Sequence, residues 1–202
     1  MSSRPIDRER ATASLDGVNS NTRLTAVTGA VLVILLAALG VTILGIHRLL
    51  PAHFLIGFLA IPPLALKLGS TGYRFMRYYS GDPRYRAAGP PTPFLRLLAP
   101  LVVVSTIVVF ATGLELWFFG LRFGSIWIAA HKLSFMAWLV IAGVHVLAHA
   151  GRTLELTGQE LSSGSGRWMS RRSLVVGSLV AGLVLALASL TYASPFIFFG
   201  DG

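Results

Sequence analysis

Hydrophobic residues fall into five long runs, each of about twenty residues or more, separated by short segments in which Arg, Gly, Pro and Ser are concentrated. A run of that length crosses the hydrocarbon core of a bilayer as a helix, because a helix satisfies every backbone N–H and C=O within its own segment. The runs extend over roughly Leu24 to Ile46, Ala52 to Tyr73, Leu95 to Phe119, Ile126 to Ala150 and Leu174 to Ala193. The pattern predicts an all-α integral membrane protein with five transmembrane helices within residues 23–194. Residues 1–22 are polar and mixed in charge, expected as a disordered tail, and residues 195–202 form a short C-terminal segment. The first run is too long for a signal-peptide core and no convincing cleavage site follows it, so it is expected to stay in the mature chain.

Basic residues orient these helices. With alternate connections on opposite sides, fourteen basic residues fall on one side and three on the other. The basic side holds the arginines up to Arg23, then Lys67, Arg74, Arg77, Arg84, Arg86 and Arg96, and finally Arg152, Arg167, Arg171 and Arg172. Only Arg48, Arg122 and Lys132 fall on the other. The positive-inside rule places the N-terminus in the cytoplasm and the C-terminus outside. The segments Gly81-Asp82-Pro83, Gly89-Pro90-Pro91 and Ser162 to Gly166 are then cytoplasmic connections, rich in residues that do not continue a helix in lipid. Spans two and four consequently run in the same direction.

Composition narrows the chemistry. Of 202 residues 54% are hydrophobic and 12% charged, and the mean hydropathy is +0.71, beyond the range of soluble domains. The absence of cysteine excludes disulfides, thiolate-held iron–sulfur clusters and covalently attached c-type haem. The net charge of +9 punctuates apolar runs, which serves membrane topology and excludes nucleic acid as a partner. Lysine occurs only at Lys67 and Lys132, in a chain that writes its other fifteen positive charges as arginine, so each lysine invites a reason for its amine.

Two pairs of residues share one spacing. His53 and Lys67 in the second span, and His131 and His145 in the fourth, are each fourteen residues apart. Fourteen helical residues make nearly four turns, so both members lie within about 40° of one face and about 21 Å apart along the axis. Since the two spans run parallel, His53 meets His131 at the outer level and Lys67 meets His145 at the inner level. Facing neutral imidazoles take both axial positions of one haem iron, a six-coordinate centre suited to electron transfer. Lys67 stands where the partner of His145 is needed, and a neutral amine is a ligand; otherwise Lys67 extends to the headgroups or pairs with a haem propionate. The metal-ligand candidates are thus His53, His131, His145 and Lys67, for one or two b-type haems.

Further candidates surround them. Propionates would be met by Arg48, Arg122 and Lys132 outside and by Arg74 and Arg77, with Tyr73, inside, where contact with anionic lipid is the competing role. His149, one turn after His145, is an alternative ligand or proton donor, and His47 is a residue of the outer turn. Glu115, near Trp117 and Trp127, is a candidate proton acceptor for a quinol. Gly57, Gly113 and Gly143 permit close approach of a flat group, and Ser178, Gly182 and Ala186 form a flat face for another helix, in this chain or in an oligomer.

From about Pro51 to Arg152 the chain resembles bacterial membrane cytochromes of the broad b561-like group, which includes cytochrome b subunits of formate dehydrogenases and hydrogenases. The run from Pro62-Pro63-Leu64-Ala65-Leu66-Lys67 through Leu68-Gly69-Ser70-Thr71-Gly72-Tyr73-Arg74-Phe75 is similar to a stretch of small actinobacterial cytochrome b proteins. The resemblance implies two b haems held by histidines, electron transfer between quinone and a partner such as a molybdopterin enzyme, and a place in the bacterial cell membrane. Lys67 departs from the all-histidine pattern. The chain carries no nucleotide or flavin fingerprint, so an electron-transfer subunit rather than a complete enzyme is expected. The alternatives are a single-haem cytochrome subunit and a haem-free assembly or transport subunit.

Overall fold

The first helix runs well beyond the apolar stretch that predicted it. In the computed structural model, which describes residues 5–87, 93–162, 166–192 and 195–198, α1 spans Pro5–Ile43. Residues 5–22, expected as a disordered tail, are therefore helical in the same piece as the first span. Proline suits a first helical position, and tertiary contacts hold the other end of the segment: Asn21 Nδ2 donates to the Ser70 carbonyl (3.2 Å) and Ser20 Oγ accepts from Arg171 (3.1 Å). The loop at Gly89-Pro90-Pro91, the centre of the Ser162 to Gly166 linker, and residues 1–4 and 199–202 lie outside the described residues.

The other elements are α2 (Ile46–Tyr79), α3 (Pro83–Ala87), α4 (Pro93–Phe119), α5 (Ile126–Ser162), α6 (Gly166–Ser189) and α7 (Pro195–Phe198). Among the described residues five helices are long and apolar enough to cross a membrane, within α1, α2, α4, α5 and α6. At 34 and 37 residues, α2 and α5 reach about 50 Å and extend past the hydrocarbon core at the basic end. Asp82 opens the short α3, its Oδ1 accepting the Arg84 N–H at 3.0 Å.

Four helices make a ring. α1 packs on both α2 and α5, α4 packs on α5, and α2 meets α4 only narrowly, so α2 and α5 face each other across the middle. α1 is thus part of the bundle wall, and α6 lies outside the ring against α2 and the flank of α1. The small-residue face of the fifth span is occupied by α2 of the same chain: Gly182 sits on the carbonyl of Leu59. That carbonyl would ordinarily accept the N–H four residues on, which Pro63 lacks. A buried cluster of Phe58, Trp117 and Ala186 ties α2, α4 and α6 together near the arginine-poor end. Leu101, Val104 and Ile107 on α4, and Leu183 and Leu187 on α6, point outward, as side chains facing lipid do.

Candidate functional site

Each of the two outer histidines is set by the helical hairpin that carries it. A tight turn at Leu44 and Gly45 folds the start of α2 back along the end of α1, placing His53 Nδ1 2.7 Å from Thr42 Oγ1. Gly120, at φ 57°, ends α4, and the short connection to α5 places His131 Nδ1 3.0 Å from Thr112 Oγ1.

Thr42 donates to the Leu39 carbonyl at 2.5 Å, and Thr112 to those of Val108 and Val109 at 2.9 and 3.0 Å. A hydroxyl has one hydrogen, and where that hydrogen goes to the carbonyl the threonine accepts from an Nδ1–H of its histidine. Nε2 on each ring is then the nitrogen with a free lone pair. The two rings lie 6.5 Å apart, centre to centre, and nearly perpendicular at 87°.

These rings border a cavity of about 240 Å³ with almost wholly apolar walls, drawn from α1, α2, α4 and α5. Gly40 and Gly57 face open space, and a Cβ on Gly113 would come within 3.1 Å of His131 Cε1. Three helices therefore present backbone where a side chain would intrude. Phe196 of α7 contributes to the wall and meets Phe54 edge-on at 6.1 Å. Of the outer cations only Lys132 lines the cavity, whereas Arg48 and Arg122 are exposed and off its wall.

The inner level is organised differently. Lys67 Nζ donates to the Thr25 carbonyl of α1 at 2.6 Å, an approach allowed because Gly29 has no side chain: a Cβ there would stand 2.9 Å from the amine. Thr25, Ser70 and Asn21 brace that contact through their own hydrogen bonds. His145 stacks on His149 at 4.5 Å, and its Nδ1 is buried with no hydrogen-bond partner among the described residues. Lys67 and His145 lie within electrostatic range of each other, as do Arg74 and Arg152. Arg77 turns away towards α3, pairing with Asp82 at 2.5 Å. Both carboxylate oxygens of Glu115 are buried without a partner among the described residues, and His47, expected in a turn, is exposed in the first turn of α2.

The threonines were missed in the sequence. Thr42 lies eleven residues before His53 and Thr112 nineteen before His131, so no common spacing marks them. Pairing a hydroxyl near the end of one span with a histidine near the start of the next was the available signal.

The fold and this cavity define a multi-pass helical membrane protein with two facing, hydroxyl-braced imidazoles. Comparison of the chain with family models, with curated proteins and with solved structures gives no match.

Proposed function

We propose that this chain is a membrane b-type cytochrome of the bacterial cell membrane, carrying electrons between a quinone pool and a redox partner at the arginine-poor, extracytoplasmic side. The close approach of the His53 and His131 rings beside one cavity is the observation that carries it. An iron held through a ring nitrogen on either side, each at about 2 Å, requires ring centres about 6 Å apart, and the separation here is 6.5 Å. Among the described residues no three His, Cys, Asp or Glu side chains converge as a bare metal ion would need. Two opposed imidazoles suit an iron whose other four ligands belong to a porphyrin. The apolar walls and the open faces of Gly40 and Gly57 suit a flat, hydrophobic group. Bound there, haem b supplies one-electron transfer. The chain's part is to hold both rings in one tautomer, exclude water, and offer Lys132 to a propionate.

His145 with Lys67 is the second pair of the same proposal, for an inner haem. Its support is the repeated spacing, the His145 Nδ1 that has no partner among the described residues, and the cations Arg74 and Arg152, which would meet anionic propionates. Lys67 remains a ligand only as a neutral amine, which can donate one hydrogen to Thr25 and keep its lone pair.

Haem content per chain, by pyridine haemochrome on detergent-purified protein, tests both levels. Two haems falling to one in Lys67→Leu, which offers no ligand, identifies the amine as a ligand, whereas two in both proteins assigns that iron position elsewhere. One haem in both confines the cofactor to the outer pair. A colourless protein overturns the cytochrome and favours the assembly or transport role.

Thr112→Val keeps the shape of the side chain and removes the acceptor for the His131 Nδ1–H. Loss of a hydrogen bond that orients a metal ligand weakens binding by roughly 10–100-fold. Haem titration of the apoprotein should show that drop while the helical content stays unchanged.

A further inference from the structure

At the basic end lies a second cavity, of about 380 Å³, between α1, α2, α3 and α6, outside the ring that encloses the histidines. Arg77, Arg84, Arg171, Tyr73 and Tyr85 line it with polar groups, and Val18, Leu24 and Leu174 line it with apolar ones. Asp82 joins two of these arginines, paired with Arg77 at 2.5 Å and 4.0 Å from Arg84, so two guanidinium groups share one carboxylate. Arg77 Nε is buried with no acceptor, although its terminal nitrogen is paired and its guanidinium lies over the Tyr73 ring at 5.9 Å. Arg171 is buried and bonded to Ser20 Oγ. Burial and the neighbouring Tyr73 push the Tyr85 phenol up, so it keeps its proton and remains a donor.

Among the described residues the wall thus combines two guanidinium groups that share one carboxylate, a buried N–H donor without an acceptor, and phenol hydroxyls with an apolar flank formed by span residues. A carboxylate would answer the charge but not the apolar flank. A phosphate ester bearing an acyl tail answers both, since guanidinium groups bind phosphate oxygens in bidentate fashion and tails lie along span side chains. We propose that this cavity binds the phosphate headgroup of an anionic phospholipid of the basic-side leaflet, with its acyl chains along Leu24 and Leu174. α3 then acts as a clamp, because Asp82 both caps it and positions two of the arginines.

The test follows the thermal unfolding of the full-length protein in a non-ionic detergent during titration with phosphatidylglycerol, phosphatidylcholine or inorganic phosphate. Phosphatidylglycerol should stabilise the protein saturably, and the other two should not. Arg84 is exposed, so Arg84→Gln leaves the fold intact, and loss of one charge-assisted contact should weaken the apparent affinity about tenfold. Arg86→Gln removes the same charge from α3 at a residue off the cavity wall, and should leave the affinity unchanged. Equal weakening by both variants would reduce the effect to general surface charge and overturn the site. Equal responses to the two lipids would do the same. Stabilisation by inorganic phosphate alone would assign the cavity to a soluble phosphate ester and overturn the lipid.

Discussion

His131→Ala should abolish the b-type absorbance of the outer centre while leaving the membrane bundle folded. Alanine would remove one of the two proposed axial ligands, and the groups against the ring, Gly113, Thr112 and Ser134, are not competent haem ligands. The structural cost is small. Thr112 already spends its hydrogen on α4 carbonyls, so the change leaves an unmatched acceptor rather than a buried donor, at about 1 kcal/mol. Reduced-minus-oxidised spectra and circular dichroism on the same sample check the two halves of this expectation. His131→Met provides the complementary result, because a thioether is an accepted axial ligand that raises the potential, so some absorbance should return at a shifted midpoint. An unchanged spectrum in His131→Ala would end the assignment of this histidine. His53→Ala should match His131→Ala, since one iron would lose its axial pair through either change.

Gly182→Leu should be the most damaging change outside the cavity. α6 is held to α2 by backbone proximity: a Cβ on Gly182 would collide with the Leu59 carbonyl, and the backbone of one helix would have to move. Overpacking in a well-packed interior costs about 1–3 kcal/mol, and a collision with backbone belongs at or above the top of that range. For a chain of this size, the loss lowers the unfolding midpoint by on the order of 5–10 °C. Gly177→Leu on the same helix supplies the control, because Gly177 is exposed and a Cβ there meets nothing within 4 Å. Similar loss in both would mean that helix propensity, not docking on α2, governs the effect.

The chemistry behind that docking lies in the Pro62-Pro63 pair. Proline has no N–H to return to the carbonyl one turn earlier, so Leu59 presents an acceptor that its own helix leaves unmet. A glycine brings a Cα–H close enough to cover it, a weak contact made repeatedly where helices touch in membranes. Ser178 and Ala186, one turn to either side of Gly182, are also buried, which keeps the two helices close along the whole contact. The small-residue face was plain in the sequence, but its partner was not, because any close-approaching helix, in this chain or another, would satisfy the same pattern.

The histidine pair shows the same division. Parallel spans from the count of basic residues, together with equal spacings of fourteen, were enough to bring His53 opposite His131. Both facts are local or additive: length and apolarity select helices, and charge outside the runs selects their direction. The sequence by itself also determined five spans and the absence of thiolate chemistry. Tertiary structure alone decided that α1 is a wall of the ring, that Thr42 and Thr112 meet the imidazole Nδ1 atoms, and that Lys67 reaches the Thr25 carbonyl over Gly29. It also decided that the polar residues before Leu24 are helical and meet α2 and α6. These outcomes depend on which helix becomes the neighbour of which, and on side chains tens of residues apart sharing one hydrogen, and no periodicity within a single span encodes either.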